Sequence, residues 1–312
     1  MRRTLQIAFA TLLAASLLSG VAGWLLGPGT VHPPRRPLTP ELVQVANGVL
    51  QRVAATREDF EVQAADGALL RGWKVRPRAP NGDWVLLFHG VSDNRAGMLG
   101  HADLLLRNGY SVVMMDARAH GASDGETATY GWKEREDTRA IIAALYATEA
   151  VHCLFALGES MGGAVALQSA AVEPRIAGVV AESAFSDLRE VSYDYAGLRL
   201  SPWLGKTLFR PAVWAGLPRA EKEGGLDADE VSPERAVAAR AFSVLLICGT
   251  ADRTIPPRHS QRIYEAARGP KELWLVPGAE HSAALGRAPE EFERRVVSFF
   301  HAIHSARELS AR

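Results

Sequence analysis

Residues 154–167 read LFALGESMGGAVAL, an apolar run that breaks at Gly158-Glu159-Ser160-Met161-Gly162-Gly163 and resumes at once. Phe155, Ala156 and Leu157 have the continuity of a buried strand's end. Ala164, Val165, Ala166 and Leu167 read as the start of a packed helix. Between the two, Gly158 and Gly162 flank a serine and leave no side chain to obstruct a very sharp strand-to-helix turn. A hydroxyl carried on such a turn stands clear of the chain, which is where a nucleophile is needed.

Working outward, apolar runs recur at 84–88, 111–115, 152–157, 177–181, 244–248 and 273–276, with helical segments between most of them. Short buried strands alternating with helices predict an α/β fold, a mostly parallel sheet covered on both faces. Upstream, DFEVQAADGALLRGWKVRP alternates around Asp66-Gly67, a hairpin signal that makes the sheet mixed. Thr39, Pro40 and Glu41 predict a helix to about Val53 with Thr39 as its cap. The gap between the fourth and fifth runs is too long for a plain crossover. Residues 186–241 are therefore expected to form a small cap, broken by Pro202, Pro211 and Pro218 into brief helices. It holds Tyr193, Tyr195, Leu198, Leu200, Trp203, Leu204, Leu208, Phe209, Val213, Trp214 and Leu217. The expectation is that Trp203 and Trp214 line an acyl pocket.

The chain has 312 residues, 47% of them apolar, with 35 basic and 35 acidic side chains. Zero formal charge, with no basic cluster, gives no indication of a nucleic-acid partner. Cys153 and Cys248 each sit inside a strand-like run and read as small buried side chains rather than a disulfide. The first 26 residues differ: Arg2 and Arg3 precede LQIAFATLLAASLLSGVAGWLL, a charge-free stretch about as long as the ~20 residues that cross a bilayer. Two readings follow, an uncleaved anchor with the bulk of the chain outside the cytoplasm, or a signal peptide cut after Gly20-Val21-Ala22 and a secreted or periplasmic product. The expected organisation is a membrane or signal segment at 1–26, a stiff proline-rich spacer with a short helix at 27–57, and one α/β domain at 58–312.

In sheets of this kind ligands bind beyond the carboxyl ends of the strands. There the sequence places HGVSDN, DARAHGASDGE, GESMGG, ESAFSD, GTADRTIP and PGAEHSA, each directly after an apolar run. Gly158-x-Ser160-x-Gly162 has the pattern of a nucleophile elbow, and it is followed in chain order by Asp252 and His281. A serine hydroxyl attacks only when a base removes its proton, and the base needs a carboxylate to hold it in one tautomer. Metal is not expected: His301 and His304 stand three apart without an acidic third ligand, and no HExxH occurs. Nor is a cofactor. Gly205-Lys206-Thr207 ends like a phosphate-binding loop, but Leu200 replaces the first glycine such a loop requires.

Across roughly residues 58–303 the sequence resembles the α/β-hydrolase superfamily, in particular its serine-aminopeptidase-like or esterase-like branch. The resemblance is carried by His89-Gly90, Asp116-x-Arg118-x-His120-Gly121-x-Ser123, Gly158-Glu159-Ser160-Met161-Gly162-Gly163, Gly249-x-x-Asp252 and His281. It implies Ser160 as nucleophile, His281 as general base and Asp252 as the orienting acid, with Asp187 an alternative because some members place the acid after the preceding strand. It also implies an oxyanion hole from the backbone amides of Met161 and Val91, while His89, Asp116, Arg118 and His120 order the rim. A dehalogenase or epoxide hydrolase would carry a carboxylate at the elbow, and Ser160 argues against both. The expected activity is cleavage of an ester, thioester or amide of a small-molecule acyl substrate through an acyl-enzyme. A non-catalytic binding module and a peptidase or lipid thioesterase are the alternatives, and the sequence says nothing of oligomeric state.

Overall fold

The computed structural model describes residues 2–197 and 202–311. Helix α1 (Arg2–Leu26) leads through a 3-10 turn at Gly27–Val31 to α2 (Pro40–Arg52). Thr39 caps α2, its Oγ1 accepting from the Leu42 amide at 3.4 Å. Strands β1 (Thr56–Gln63) and β2 (Leu69–Arg76) form the hairpin, with Gly67 at φ 89° in its turn. Then come β3 (Trp84–Phe88), α3 (Leu99–Arg107), β4 (Ser111–Met115), α4 (Glu134–Thr148), β5 (Leu154–Glu159), α5 (Met161–Val172) and β6 (Ile176–Glu182). The cap contains α6 (Leu188–Gly197), α7 (Pro202–Lys206), α8 (Arg210–Gly224) and α9 (Pro233–Ala239). Finally β7 (Ser243–Gly249), α10 (Arg258–Ala266), β8 (Lys271–Val276), α11 (Ala284–Arg287) and α12 (Pro289–Ala311) complete the chain's described order.

The eight strands make one sheet in the order β1-β2-β4-β3-β5-β6-β7-β8. The β1/β2 and β2/β4 pairs are antiparallel and all pairs from β4 to β8 are parallel. After β3 the chain steps outward to β4, then returns past β3 to lay down β5 on its other side. Crossovers that leave in opposite directions part the loops beyond β3 and β5, and a crevice opens there. Ser160 follows β5, and His89 to Val91 follow β3.

Alternation along each strand feeds both faces. On β3, Val85 and Leu87 pack with Leu50, Leu104, Phe292 and Phe300 under α2, α3 and α12. Its Trp84 and Leu86 pack with Ile142, Leu167 and Ile263 under α4, α5 and α10. Phe155 stacks on Phe300 with ring centroids 4.3 Å apart. A third cluster, Phe185, Leu188, Val191, Val213, Leu217 and Leu226 with Val31 and Ile255, ties the cap to the body. Beneath it, His259 Nε2 donates to Asp194 Oδ2 at 2.8 Å, while its Nδ1 faces the Ser186 amide at 3.2 Å and hydroxyl at 2.9 Å. This serine–histidine–aspartate chain is buried, at 0%, 0% and 2% exposure, so no substrate reaches it and it serves to fasten α6 to α10.

Two expectations are corrected. Pro202 and Pro211 stand at the starts of α7 and α8, where a missing N–H costs little, but Pro218 lies inside α8 without ending it. The helix continues because its Ala212, Val213, Gly216, Leu217 and Ala220 are held between α1 and the cap cluster. Trp203 and Trp214 are 69% and 57% exposed and line no pocket at the crevice. Trp214 Nε1 instead donates to the Tyr193 hydroxyl at 3.1 Å, and Leu198 and Leu200 lie outside the described residues. The stiff proline-rich stretch lies against the body. Val31 is buried, Arg35 donates to the Ser123 carbonyl at 2.6 Å, and Arg36 pairs with Asp93 at 2.7 Å. The arginines within it find acceptors on the body, and these lace the stretch down.

Candidate active site

At the end of β5 the chain turns into α5 through Ser160, which has φ 53° and ψ −121°. A positive φ at a residue with a Cβ is strained, and the surroundings hold it there. The Ser160 amide donates to the Glu182 carbonyl at 2.8 Å. A Cβ at Gly158 would lie 2.4 Å from the Gly162 carbonyl carbon, and one at Gly162 would lie 2.1 Å from the Phe88 carbonyl oxygen. Both glycines are therefore required by the closeness of strand to helix, the reason inferred from the sequence.

Two loops bring the partners. Thr250 Oγ1 accepts from the Gly278 amide at 2.8 Å and Ala251 N donates to Ala279 O at 2.9 Å, so the loops after β7 and β8 are stitched together. From below, Glu182 Oε1 accepts from the Ala284 amide at 2.8 Å. His281 Nδ1 then meets Asp252 Oδ2 at 2.9 Å, and its Nε2 meets Ser160 Oγ at 2.9 Å. The other oxygen of Asp252 accepts from the Thr254 and Ile255 amides, both at 2.9 Å. A carboxylate engaged in this way only accepts, which puts the ring proton on Nδ1 and turns the lone pair of Nε2 toward the hydroxyl. Asp187 is used otherwise: its Oδ1 accepts from the Arg189 and Glu190 amides at 3.0 and 3.2 Å, capping α6. Of the two carboxylates the sequence left open, it is Asp252 that meets His281.

A family model described as serine aminopeptidase, S33, matches residues 79–241. The chain belongs to this serine aminopeptidase family. Among its relatives is the uncharacterized protein YqkD of Bacillus subtilis (strain 168), 29% identical over 255 residues, covering 80% of this chain and 81% of that protein. The uncharacterized protein YfhR of Escherichia coli (strain K12) is 27% identical over 252 residues, covering 78% and 80%. Among solved structures, the Pyrococcus furiosus esterase Pf2001 superposes with a TM-score of 0.70 at 26% identity, covering 87% of this chain and 97% of that one. Acetyl xylan esterase 1 from Thermoanaerobacterium shares the fold at a TM-score of 0.56 and 17% identity, covering 87% and 97%. The fold is thus that of the α/β hydrolases, and a hydrolase is what the family supports.

The remaining family-type landmarks build the rim. His89 is buried; its Nδ1 donates to the Gly90 carbonyl at 2.7 Å and its Nε2 accepts from the Ala117 amide at 3.0 Å. Burial lowers its pKa, and burial together with His89 pushes His120 down to about 4, so both rings are neutral. They meet edge to face at 5.1 Å and fix the loop that carries Val91. Asp116 accepts from the Arg95 amide and guanidinium at 2.7 and 2.8 Å, and Arg118 forms a fork with Asp137 at 2.7 and 2.6 Å. Val91 and Met161 both border the crevice beside Ser160. His304 bonds Asp83 at 2.9 Å, whereas His301 is exposed.

Above Ser160 lies a cavity of about 520 Å³, within the range of small-molecule sites. Phe185, Leu188, Val191, Tyr195, Val213 and Leu217 line it from the cap side, and no charged side chain borders it among the described residues. The sequence reading missed one wall entirely. Ala22, Gly23, Leu26 and Gly27 of the N-terminal segment border the same cavity. The available signal was the four-residue spacing of Ser19, Gly23 and Gly27, which suits close helix packing.

Glu159, His101 and Glu182 also escaped the sequence reading; their ligating atoms lie within 4.8 Å of one another behind the elbow. Burial pushes the Glu159 carboxyl up to about 7, opposed by His101 and reinforced by Glu182. A carboxyl whose pKa rises on folding favours the protonated native state. That stability is fully present below the ordinary 4.5 and is lost as pH rises through about 7. Glu159→Gln therefore gains on the wild type across this window, by on the order of 3 kcal/mol at its upper end. Thermal melts at pH 4.5 and 8 check this, and parallel pH curves for the two proteins would contradict it.

Proposed function

We propose that the chain is a serine hydrolase that cleaves a carboxylic ester through an acyl-enzyme on Ser160. The observation that carries this reading is the unbroken hydrogen-bond chain from Ser160 through His281 to Asp252, both links at 2.9 Å, at the floor of an apolar cavity. In the first half-reaction His281 Nε2 takes the Ser160 proton as Oγ attacks the ester carbonyl carbon. Asp252 keeps the ring in the required tautomer and stabilises the imidazolium that forms. The backbone amides of Met161 and Val91 are assigned to the oxyanion, the former favoured by its place at the N-terminus of α5. The proton passes to the departing alcohol, the carbonyl–oxygen ester bond breaks, and water then releases the acid by the same steps in reverse order.

An ester suits this site better than a peptide amine terminus. Aminopeptidase chemistry needs an anionic group to receive the substrate ammonium, and the described lining of the cavity offers none. With α1 long and apolar enough to cross a membrane, and Arg2 and Arg3 at its start, the hydrolase domain is assigned to the outer side of an uncleaved anchor.

A series of p-nitrophenyl esters tests the acyl preference. Octanoate is expected to exceed acetate in kcat/KM by about tenfold or more, since each methylene buried in an apolar pocket contributes to transition-state binding. Leu217→Trp fills the cavity and moves the optimum to shorter chains. Equal rates on acetate and octanoate would rule the pocket out.

A further inference from the structure

Helix α1 is more than a tether. It runs alongside cap helix α8 in the same direction and at backbone contact. A Cβ at Gly23 would lie 2.0 Å from the Ala212 carbonyl oxygen, one at Gly27 2.3 Å from that of Gly216, and one at Gly216 2.7 Å from that of Gly23. Small residues four apart, Gly23 of α1 and Gly27 of the 3-10 turn after it against Ala212 and Gly216 of α8, permit this approach, as small residues do where helices pair in a bilayer. The cavity above Ser160 lies against this pair: Ala22, Gly23 and Leu26 border it from α1, and Val213 and Leu217 border it from α8.

Most of α1 before these residues is exposed. Leu5, Leu12 and Leu18 are 63%, 62% and 70% exposed. A 25-residue helix measures ~37 Å, enough to span the ~30 Å hydrocarbon core of a bilayer. With its arginines at the start, its last two turns fall in the far leaflet and its interface. Aromatic side chains stand at the same level. Trp24 of α1 lies under the Arg219 guanidinium of α8 at 3.9 Å, and Trp214 of α8 lies under Arg210 at 4.8 Å. Tryptophan is enriched at membrane–water interfaces. The end of α1 that reaches the far interface is thus also the part that borders the cavity, through Ala22, Gly23 and Leu26.

We propose that the substrate is a long-chain carboxylic ester resident in the bilayer, and that its acyl chain enters the cavity sideways along α1 and α8 without crossing water. This rests on the acyl-enzyme reading above. Ser160 Oγ attacks the lipid's acyl carbonyl, the ester C–O bond breaks, and the proton relayed by His281 leaves with the lipid alcohol. Water then frees the fatty acid.

The test uses the full chain reconstituted in vesicles of phosphatidylethanolamine and phosphatidylglycerol carrying a trace of a fluorogenic long-chain diacylglycerol. p-Nitrophenyl acetate is supplied to the same vesicles, and the ratio of the two kcat/KM values is read. Gly23→Leu, which pushes α1 off α8, and Val213→Trp, which fills the cavity, are each expected to lower that ratio by about tenfold or more. A ratio within about twofold of wild type in both variants overturns the proposal. Should either variant fail to fold, the wild-type protein answers by itself. Vesicles doped with a diazirine-labelled acyl phosphatidylethanolamine are irradiated and the adducts mapped. Adducts at Leu26, Val213 or Leu217 support lateral entry; adducts confined to residues 5–18 overturn it. Two failures remain distinct. Ser160 labelled by a fluorophosphonate while the vesicle lipid stays intact defeats the lipid proposal alone, whereas an unlabelled Ser160 defeats the acyl-enzyme reading and this proposal with it.

Discussion

On the proposed mechanism, Ser160→Ala is expected to lower kcat on an activated ester by on the order of 10⁴ to 10⁶ and to leave the fold unchanged. The size follows from the mechanism: without Oγ no acyl-enzyme forms, and what remains is the weak catalysis of the oxyanion amides and the pocket. The intact fold follows from the structure, because Oγ bonds only His281 in the described network, and alanine accepts the same φ of 53° at no greater strain. His281→Ala falls to a similar level, since nucleophile and base act as one unit and their losses do not add. Steady-state turnover of p-nitrophenyl octanoate beside a circular-dichroism melt checks both points. Turnover within about tenfold of wild type would remove Ser160 from the chemistry.

The second large effect separates two aspartates. Asp252→Asn is expected to cost on the order of 10⁴ in kcat, while Asp187→Asn costs less than about twofold. At position 252 one oxygen accepts from two backbone amides and the other from His281, so all three neighbours are donors. An asparagine must aim its own NH₂ at one side or the other. Facing His281, it forces the ring proton onto Nε2 and points a donor at Ser160; facing the amides, it opens the loop that holds the site. At position 187 a single oxygen caps α6 by accepting from Arg189 and Glu190. Asparagine presents the same oxygen and caps as well. The reverse order of losses, measured as kcat on one ester, would transfer the acid role to Asp187.

What could be read in the sequence was local. The glycines around Ser160 spell a turn because a Cβ at either would come within 2.1–2.4 Å of neighbouring backbone. Asp66-Gly67 spells a hairpin, and Thr39 a helix cap, by chemistry confined to a few residues. The choice between Asp252 and Asp187 was not local; it turns on which carboxylate the loop after β7 delivers to His281, a matter of tertiary stitching by Thr250 and Ala279. The placing of β4 outside β3 was equally invisible, since apolar runs of similar character carry no address. Aromatic bulk misled the reading of the cap. Trp203 and Trp214 drew attention by size, yet Val213 and Leu217 form the wall, because helical phase decides which side of α8 faces inward. Pro218 was read as a break, although packing against α1 carries α8 through it. And the N-terminal segment reads as an anchor or a signal peptide with no place in the fold, because uniform apolarity hides the small-residue face that seats it against the cap.

The account stands most directly on where a mechanism-based label is found. The full chain is treated with a fluorophosphonate, digested, and the adduct located by mass spectrometry. A single adduct on the peptide bearing Ser160, lost in Ser160→Ala and slowed by orders of magnitude in His281→Ala, is the predicted result. An adduct on any other residue, or none on a protein that still hydrolyses the ester, would contradict it.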